Sequence, residues 1–361
     1  MTENQNYTAI SLFSGMGGDT LGMEKAGLNV IGYVEYVNDF IQTHNKNFSN
    51  CKLIGEKVKG NITKITDEEF ERYKGVDFLF AGFPCQSFST GGKRKINDPR
   101  NTMFKEFVRC AKNTEAKVII GENVKGLLTK KTEDNNLYID VIKKEFEDLG
   151  YIIKYKVFKC VKYGVPQKRE RLIILGIKQE FLNTKFKLEF PEEKDTENNL
   201  EHIIKFGMKG ALKFSQEQYD FSQIPEEYIL TDLNNDEQEN NPHPYLKMKR
   251  DLENKSYKEK EYNTLFSFQK RDSPIHCEII NIKKPSKTII CTYEHQPRLF
   301  VPLRNKNGYY LRMLFPDELK QIQSFPANFE IVGNDKNKII QIGNAVPPLL
   351  IEKIIRKIID I

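Results

Sequence analysis

The sequence has few cysteines and histidines, no long apolar run and no marked excess of one charge. Its six cysteines form no close pair of the zinc or redox type, and no histidine is spaced to complete a ligand set, so no structural metal is expected. No window approaches the roughly 20 apolar residues of a membrane span. The N-terminal residues lack a basic and apolar signal pattern, so we expect a cytoplasmic protein with reduced thiols.

The charge balance is nearly even, with 56 basic and 50 acidic residues in a chain of 361. A net charge of +6 only mildly favours a polyanionic partner and does not by itself identify a nucleic acid. The length exceeds that of a typical single domain, so we expect one large α/β domain and a smaller second one.

Apolar runs and helical patterns alternate along the first half of the chain. The runs that predict strands are residues 7–13, 29–36, 75–83, 117–124, 151–158 and 171–177, with helical stretches at 101–112 and 137–149. This alternation predicts a doubly wound, mostly parallel sheet. Residues 185–285 are polar and weakly periodic, which indicates irregular structure outside the sheet. Apolar residues at helical spacing in 346–361 predict a helix that packs back on the first domain.

A glycine turn follows the first predicted strand and contains Phe13, Gly15, Gly17 and Gly18. Such a turn allows a ligand to approach the backbone at a helix N-terminus, but it is equally typical of an ordinary tight turn. Glu35 ends the second predicted strand, where a carboxylate can accept hydrogen bonds from both ribose hydroxyls. Dinucleotide and adenosyl cofactors both remain open at this point. The neighbouring Tyr36 is a candidate for stacking on an adenine ring, with simple packing as the alternative.

The string GFPCQSFS at residues 82–89 follows another predicted strand. Its cysteine, Cys85, should therefore lie at the carboxyl edge of the sheet, where open α/β sheets place their chemistry. Pro84 fixes the backbone before the thiol, and polar neighbours favour its activation as a nucleophile. The alternative is a buried structural cysteine.

Together these strings resemble the C5-cytosine DNA methyltransferase family, in its S-adenosylmethionine-dependent, bacterial restriction-modification form. The similarity continues in order over nearly the whole chain. It rests on SLFSGMGG at 11–18, PCQ at 84–86, GENV at 121–124, QKRER at 167–171, LRMLFPDELKQIQSFP at 311–326 and QIGNAVPP at 341–348.

The resemblance implies a Rossmann-like methyltransferase domain at 1–180, a smaller target-recognition domain at 181–311 and a return segment at 312–361. It implies that Cys85 adds to C6 of cytosine so that C5 can take the methyl group. Glu122 would then hydrogen-bond or protonate N3 and the exocyclic amine, and Arg171 would stabilise charge on O2. Arg169 would help to order Cys85 or the nearby DNA phosphate.

The resemblance also implies a pocket for S-adenosylmethionine. Its expected lining residues are Phe13, Gly15, Gly17, Gly18, Glu35, Tyr36, Asn61, Ile62, Pro84, Asn344 and Val346. The chain departs from the family at Asn61, where an acidic residue is usual. An amide carbonyl would accept the hydrogen bond from the adenine amino group there, with somewhat weaker cofactor binding. A second departure is Asn101, where the family favours glycine.

The expected substrate is double-stranded DNA, from which the target cytosine must be flipped out of the stack. Residues 89–100 are basic and glycine-containing, as suits a mobile loop that closes over the flipped base. The expected DNA contacts are Gln86, Ser89, Lys93, Arg94, Arg100, Arg271 and Arg298. We further expect a monomer. A cognate restriction endonuclease that acts on the same site would be its partner in a restriction-modification system, while a phage enzyme and a solitary regulatory methylase remain open, because the choice depends on neighbouring genes.

Three other functions compete with this interpretation. An RNA methyltransferase of similar fold would carry Cys-Phe-Thr after the Glu-Asn-Val segment, where this chain has Lys125, Gly126 and Leu127. A non-catalytic DNA-binding protein has no need to keep Cys85 and Glu122 together with Arg171. An NAD-dependent oxidoreductase would carry G-x-G-x-x-G, which the turn does not supply.

Overall fold

The structure is a computed structural model that describes residues 6–84, 103–195, 198–213, 224–241, 249–250, 266–267, 278–293 and 299–360. Its centre is a seven-stranded sheet of order β3-β2-β1-β4-β5-β8-β6. The first eight strands are β1 (Thr8–Leu12), β2 (Asn29–Val34), β3 (Lys52–Leu53), β4 (Phe78–Ala81), β5 (Val118–Asn123), β6 (Tyr151–Lys159), β7 (Gln167–Lys168) and β8 (Glu170–Lys178), of which β7 lies outside this sheet.

The prediction of a mostly parallel sheet is confirmed, with one antiparallel strand. β1 runs parallel to β2 and β4, and the pairs β2–β3 and β4–β5 are also parallel. β8 is antiparallel to both β5 and β6. Only residues 160–169 join β6 to β8, which is too short for the crossover that two parallel strands require. The carboxyl ends of β1, β2, β4 and β5 therefore meet at one edge of the sheet.

Eight helices of the described chain surround the sheets. They are α1 (Gly18–Lys25), α2 (Asn38–Asn47), α3 (Asp67–Glu71), α4 (Met103–Thr114), α5 (Tyr138–Glu147), α6 (Pro316–Ile322), α7 (Asp335–Asn344) and α8 (Pro348–Ile358). None of these helices combines the length and the apolarity that a bilayer crossing requires.

Both faces of the central sheet are covered, as expected for a parallel sheet. Alternate residues of β4 show this: Phe78 and Phe80 pack into one apolar cluster, while Leu79 and Ala81 pack into the other. The predicted C-terminal helix is present as α8, whose Leu350, Ile351, Ile354, Ile355 and Ile358 are all buried. It packs against α1 so closely that a Cβ at Gly22 would lie 2.7 Å from Cβ of Ile351.

A second, smaller sheet lies in the later part of the chain. Its strands β9 (Leu212–Lys213), β10 (Leu230–Asp232), β15 (Leu299–Asn305) and β16 (Gly308–Met313) have the order β10-β15-β16-β9, and β13 (Glu278–Ile279) also pairs with β15. The remaining pairs are β11 (Lys249–Arg250) with β12 (Phe266–Ser267), and β14 (Ser286–Lys287) with β7. The predicted boundary between residues 311 and 312 falls inside β16. That strand forms a hairpin with β15, so the boundary would divide one strand.

Candidate active site

The glycine turn joins β1 to α1 at the carboxyl edge of the sheet. Phe13, Gly15 and Gly17 have φ angles of 57°, 57° and 91°, in the left-handed region. A non-glycine residue there is strained, and such residues concentrate at functional sites. Gly18 is required for a different reason, since a Cβ at this position would lie 2.1 Å from the carbonyl oxygen of Val346. The backbone of the turn therefore lies directly against the carbonyl group of Val346.

Glu35 is buried directly beside this turn. Its carboxylate accepts hydrogen bonds from the backbone N–H groups of Gly15 (2.9 Å), Tyr36 (2.8 Å) and Val37 (2.8 Å). Burial raises the pKa of Glu35, while these three bonds act in the opposite direction. They occupy three of about four lone-pair positions of the carboxylate. Accepting both ribose hydroxyls, as expected from the sequence, would therefore require one of these backbone bonds to be released.

Tyr36 follows Glu35 and is 70% exposed. Simple packing, the alternative that the sequence left open, does not account for so exposed a ring. An aromatic face beside a buried carboxylate is available to stack on a planar ligand.

Asn61 and Ile62 belong to a segment that contacts the backbone of Glu35. A Cβ at Gly60 would lie 1.8 Å from the carbonyl oxygen of Glu35, so the two segments are in direct contact. The Asn61 amide oxygen caps a short 3₁₀ turn, Ile62–Lys64, by accepting from the Thr63 N–H (3.2 Å) and hydroxyl (2.9 Å). Both lone pairs of that oxygen are thereby used. The expected bond to an adenine amino group would have to displace one of them.

Three chain segments meet beside the end of β4. A Cβ on Gly82 would lie 3.8 Å from the carbonyl oxygen of Phe13 and 3.8 Å from Cγ2 of Val346, which is ordinary van der Waals distance. Pro84 is half-buried, and Asn344 is exposed at the end of α7. The structure therefore brings most of the predicted cofactor residues to one edge of the sheet.

Glu122 and Arg171 form a partly buried ion pair. Arg171 Nε donates to Glu122 Oε1 at 2.7 Å, and the two side chains are only 14% and 12% exposed. β5 carries the carboxylate and its antiparallel neighbour β8 carries the guanidinium. The sequence predicted both residues at the site without predicting that they bind each other.

Asn123 connects this pair to the segment that leads to Cys85. Its side-chain amide donates to the carbonyl oxygen of Phe83 at 3.2 Å, and its own amide oxygen accepts the N–H of Val124 at 2.8 Å. The end of β5 is thereby fixed to the chain just before Pro84. Asn123 was not predicted from the sequence to have a role; its position after Glu122 at a predicted strand end was the available signal.

Arg169 is 2% exposed, and its environment corrects one expectation. Its guanidinium donates to the carbonyl oxygens of Ile289 (3.3 Å), Gly343 (3.4 Å) and Ala345 (3.1 Å). Burial, followed by the charge of Arg171, lowers the pKa of Arg169 to about 9. A guanidinium enclosed in this way does not reach a DNA phosphate, because its donors face buried backbone. Arg169 instead joins the backbone at Ile289, Gly343 and Ala345, and the expected ordering of Cys85 concerns a residue outside the described ones.

The remaining predicted positions lie outside the described residues. They are the nucleophile Cys85, the departure Asn101 and the DNA contacts Gln86, Ser89, Lys93, Arg94, Arg100, Arg271 and Arg298.

Comparisons with known proteins agree on one family. Two curated relatives are type II methyltransferases: M1.HphI of Haemophilus parahaemolyticus is 30% identical, covering 97% of this chain and 86% of its own length, and M.Eco47II of Escherichia coli is 32% identical, covering 95% and 76%. The solved structure of the Entamoeba histolytica methyltransferase EhMeth has a TM-score of 0.64 at 16% identity, covers 98% of both chains and thus shows a shared fold. A family model described as C-5 cytosine-specific DNA methylase matches residues 7–360. The chain belongs to this C-5 cytosine-specific DNA methylase family.

Proposed function

We propose that Cys85, Glu122 and Arg171 carry out the family's reaction, methylation of cytosine at C5, in this protein. The observation that supports this assignment is the Glu122–Arg171 ion pair, together with the bond from Asn123 to Phe83. Glu122 and Arg171 are the two predicted catalytic residues that form an ion pair in the described part of the chain. The Asn123 bond fixes the strand that carries Glu122 to the chain just before Cys85.

Each residue type suits one step of the reaction. The Cys85 thiolate forms a bond to C6, and the electrons of the C5–C6 double bond make C5 nucleophilic. Glu122 hydrogen-bonds the exocyclic amine and holds a proton at N3, while Arg171 stabilises negative charge at O2. C5 then takes the methyl group, loses its proton to water or hydroxide, and the C6–S bond breaks to regenerate the thiolate. The ion pair orients both groups before the base arrives.

The family implies a methyl donor of the S-adenosylmethionine type, and we propose S-adenosylmethionine itself. When bound, its sulfonium supplies the transferred methyl group. Three features of the chain fit it: the strained turn at Phe13, the buried carboxylate of Glu35 and the exposed ring of Tyr36. We assign the ribose to Glu35, the adenine to Tyr36, Asn61 and Ile62, and the rest of the donor to the turn and to Pro84, Asn344 and Val346.

We also propose double-stranded DNA read by a recognition domain at 181–311, with Gln86, Ser89, Lys93, Arg94, Arg100, Arg271 and Arg298 as DNA contacts. The catalytic domain would then occupy 1–180 and the return segment 312–361. The names of the two type II relatives support a place in a restriction-modification system. The protein would act as a cytoplasmic monomer, beside an endonuclease that cleaves the same unmethylated site.

Base-resolution bisulfite sequencing of DNA treated with the purified protein and S-adenosylmethionine tests this proposal. We expect conversion-resistant cytosines at one short motif with the wild type, none with Cys85→Ala and at least a hundredfold slower modification with Glu122→Gln. Protection that survives Cys85→Ala would reject the nucleophile. Wild-type protein that binds S-adenosylmethionine but protects no cytosine would reject the DNA substrate and make RNA the next substrate to test.

A further inference from the structure

Arg109 on α4 joins two parts of the chain that are far apart in sequence. Its Nη2 donates to the carbonyl oxygen of Ile62 at 2.8 Å, and its Nη1 donates to that of Ile65 at 3.0 Å. These carbonyls lie at the two ends of the short 3₁₀ turn Ile62–Lys64. So short a turn makes few backbone hydrogen bonds of its own, among them that from the Ile65 N–H to the Ile62 carbonyl (3.3 Å). The guanidinium adds a second donor to the Ile62 carbonyl and a donor to the Ile65 carbonyl.

The guanidinium is itself held in one orientation. Glu106 accepts from its Nε (3.0 Å) and Nη2 (2.6 Å), and Asp67 accepts from its Nη1 (2.6 Å). With the two carbonyl bonds, all five N–H donors of the side chain are used. Its Cζ also lies 5.0 Å from the centroid of the Phe70 ring. A guanidinium whose five donors are all bonded holds the turn in a fixed position, and a lysine ammonium could not reproduce this arrangement.

The turn that Arg109 supports adjoins the proposed adenine site. Asn61 caps it, and Gly60 touches the backbone of Glu35. On the other side, α4 follows in the sequence the segment that carries Cys85. One side chain thus connects the helix after the nucleophile segment to the residues assigned to adenine.

We propose that Arg109 is a positioning residue that sets the affinity for the adenosine part of the methyl donor. It holds the backbone of residues 61–65 at the distance from Glu35 and Tyr36 that the ligand needs. This inference rests on the proposed function, because it assigns the adenine to that segment. It adds a residue that touches neither donor nor DNA.

The test compares Arg109→Met with Arg356→Met. Arg356 is a matched control on α8, with a glutamate four residues before it and a bond to a distant carbonyl, that of Lys25. The dissociation constants of S-adenosylmethionine and S-adenosylhomocysteine are measured by calorimetry, along with KM, kcat and DNA affinity without cofactor. Because both ligands contain adenosine, we expect Arg109→Met to weaken both by the same factor, about tenfold or more. The kcat at saturating donor and the DNA affinity should stay within about twofold, and Arg109→Lys should be intermediate.

The outcomes separate the inference from the proposed function. If the wild type binds S-adenosylmethionine and Arg109→Met or Arg109→Lys binds it equally well, the inference is wrong while the proposed function stands. A fall in kcat with unchanged KM, or an equal loss of affinity in Arg356→Met, would mean that Arg109 only stabilises the fold. A wild type that binds neither ligand would overturn the proposed function itself. If Arg109→Met does not fold, Arg109→Lys alone decides between these outcomes.

Discussion

At the residue scale, the glycine turn rests on a buried layer of polar side chains. Asp19 accepts hydrogen bonds from the hydroxyls of Ser11 and Ser14, and Thr20 links Ser14 (3.2 Å) to His44 Nε2 (3.0 Å). Burial raises the pKa of Asp19 to about 7 and lowers the pKa of His44 to about 3. The layer therefore favours the neutral form of both titratable groups, which avoids an unpaired charge beneath the proposed donor site.

Replacing Asp19 should change how stability depends on pH. The folded protein binds this proton more tightly than the unfolded chain, so the stabilising contribution is full below about pH 4 and is lost as the pH rises through about 7. Asp19→Asn stays neutral and escapes this loss. We expect the unfolding free energy of the variant, relative to wild type, to improve by up to about 4 kcal/mol between pH 4 and 8.

Urea unfolding at several pH values between 4 and 8 measures this difference, and the opposing contribution of His44 cancels because both proteins contain it. Asp134→Asn, at an exposed position, is the control and should differ from wild type by a constant small amount. A gap between Asp19→Asn and wild type that does not change with pH would contradict the prediction.

Residue identities were predictable at this scale, but their partners were not. The GENV and QKRER strings led to Glu122 and Arg171, whereas their ion pair depends on the antiparallel approach of β8 to β5. The sequence likewise offered no signal that Arg109 would reach Ile62, because that contact forms only after α4 and the turn are brought together. Long-range geometry decides such contacts, and a local pattern does not contain it.

At the element scale, the strands and helices with apolar periodicity were predicted and the polar ones were not. β2 and β6 begin at Asn29 and Tyr151, as the apolar runs predict. Helix α2 was missed because its fully buried residues are Thr43 and His44, which give no apolar period. β3 was missed because two residues are too short a signal.

The contact between Gly60 and β2's end should matter for both stability and binding. Gly60 has a φ of 66°, and an added Cβ would meet the Glu35 carbonyl oxygen at 1.8 Å. Gly75 is a matched control, with a φ of 85° and nothing within 4 Å of an added Cβ. We expect Gly75→Ala to cost about 1–2 kcal/mol from backbone strain alone.

Gly60→Ala should cost more than that, and it should also weaken S-adenosylmethionine binding at least tenfold because Glu35 and Asn61 would be pushed apart. Urea unfolding and calorimetric titration of both variants measure the two effects. Equal stability losses with unchanged donor affinity in Gly60→Ala would show that the backbone at Glu35 yields to the new methyl group.

At the scale of the whole molecule, buried polar side chains join the three predicted segments. The Gln167 side chain donates to Gln323 Oε1 (2.6 Å) and accepts the N–H of Ile289 (3.0 Å), and Gln323 donates to the carbonyl oxygen of Ala345 (2.8 Å). One apolar cluster also contains residues of both sheets, such as Phe78 and Val301. The order of the segments was predictable from the strings, but this shared core was not, since its parts come from distant stretches of chain.

Arg169 and Arg171 lie two residues apart and should fail in different ways when replaced by methionine. Arg169 is bonded to carbonyl oxygens from the predicted recognition and return segments, so Arg169→Met removes a donor from three buried acceptors, of which, among the described residues, only that of Ala345 keeps a side-chain donor, Gln323. We expect the Arg169→Met variant to lose about 3 kcal/mol or more of stability, and to lose activity only as the folded fraction falls.

The Arg171→Met variant should remain mostly folded, because the pair that it breaks is partly exposed, yet it should methylate at least a hundredfold more slowly. Urea unfolding and methyl-transfer rates on folded protein measure both effects. If Arg169→Met is as stable as wild type, the buried guanidinium does not hold the segments together; if Arg171→Met methylates at the normal rate, its assignment to cytosine O2 is wrong.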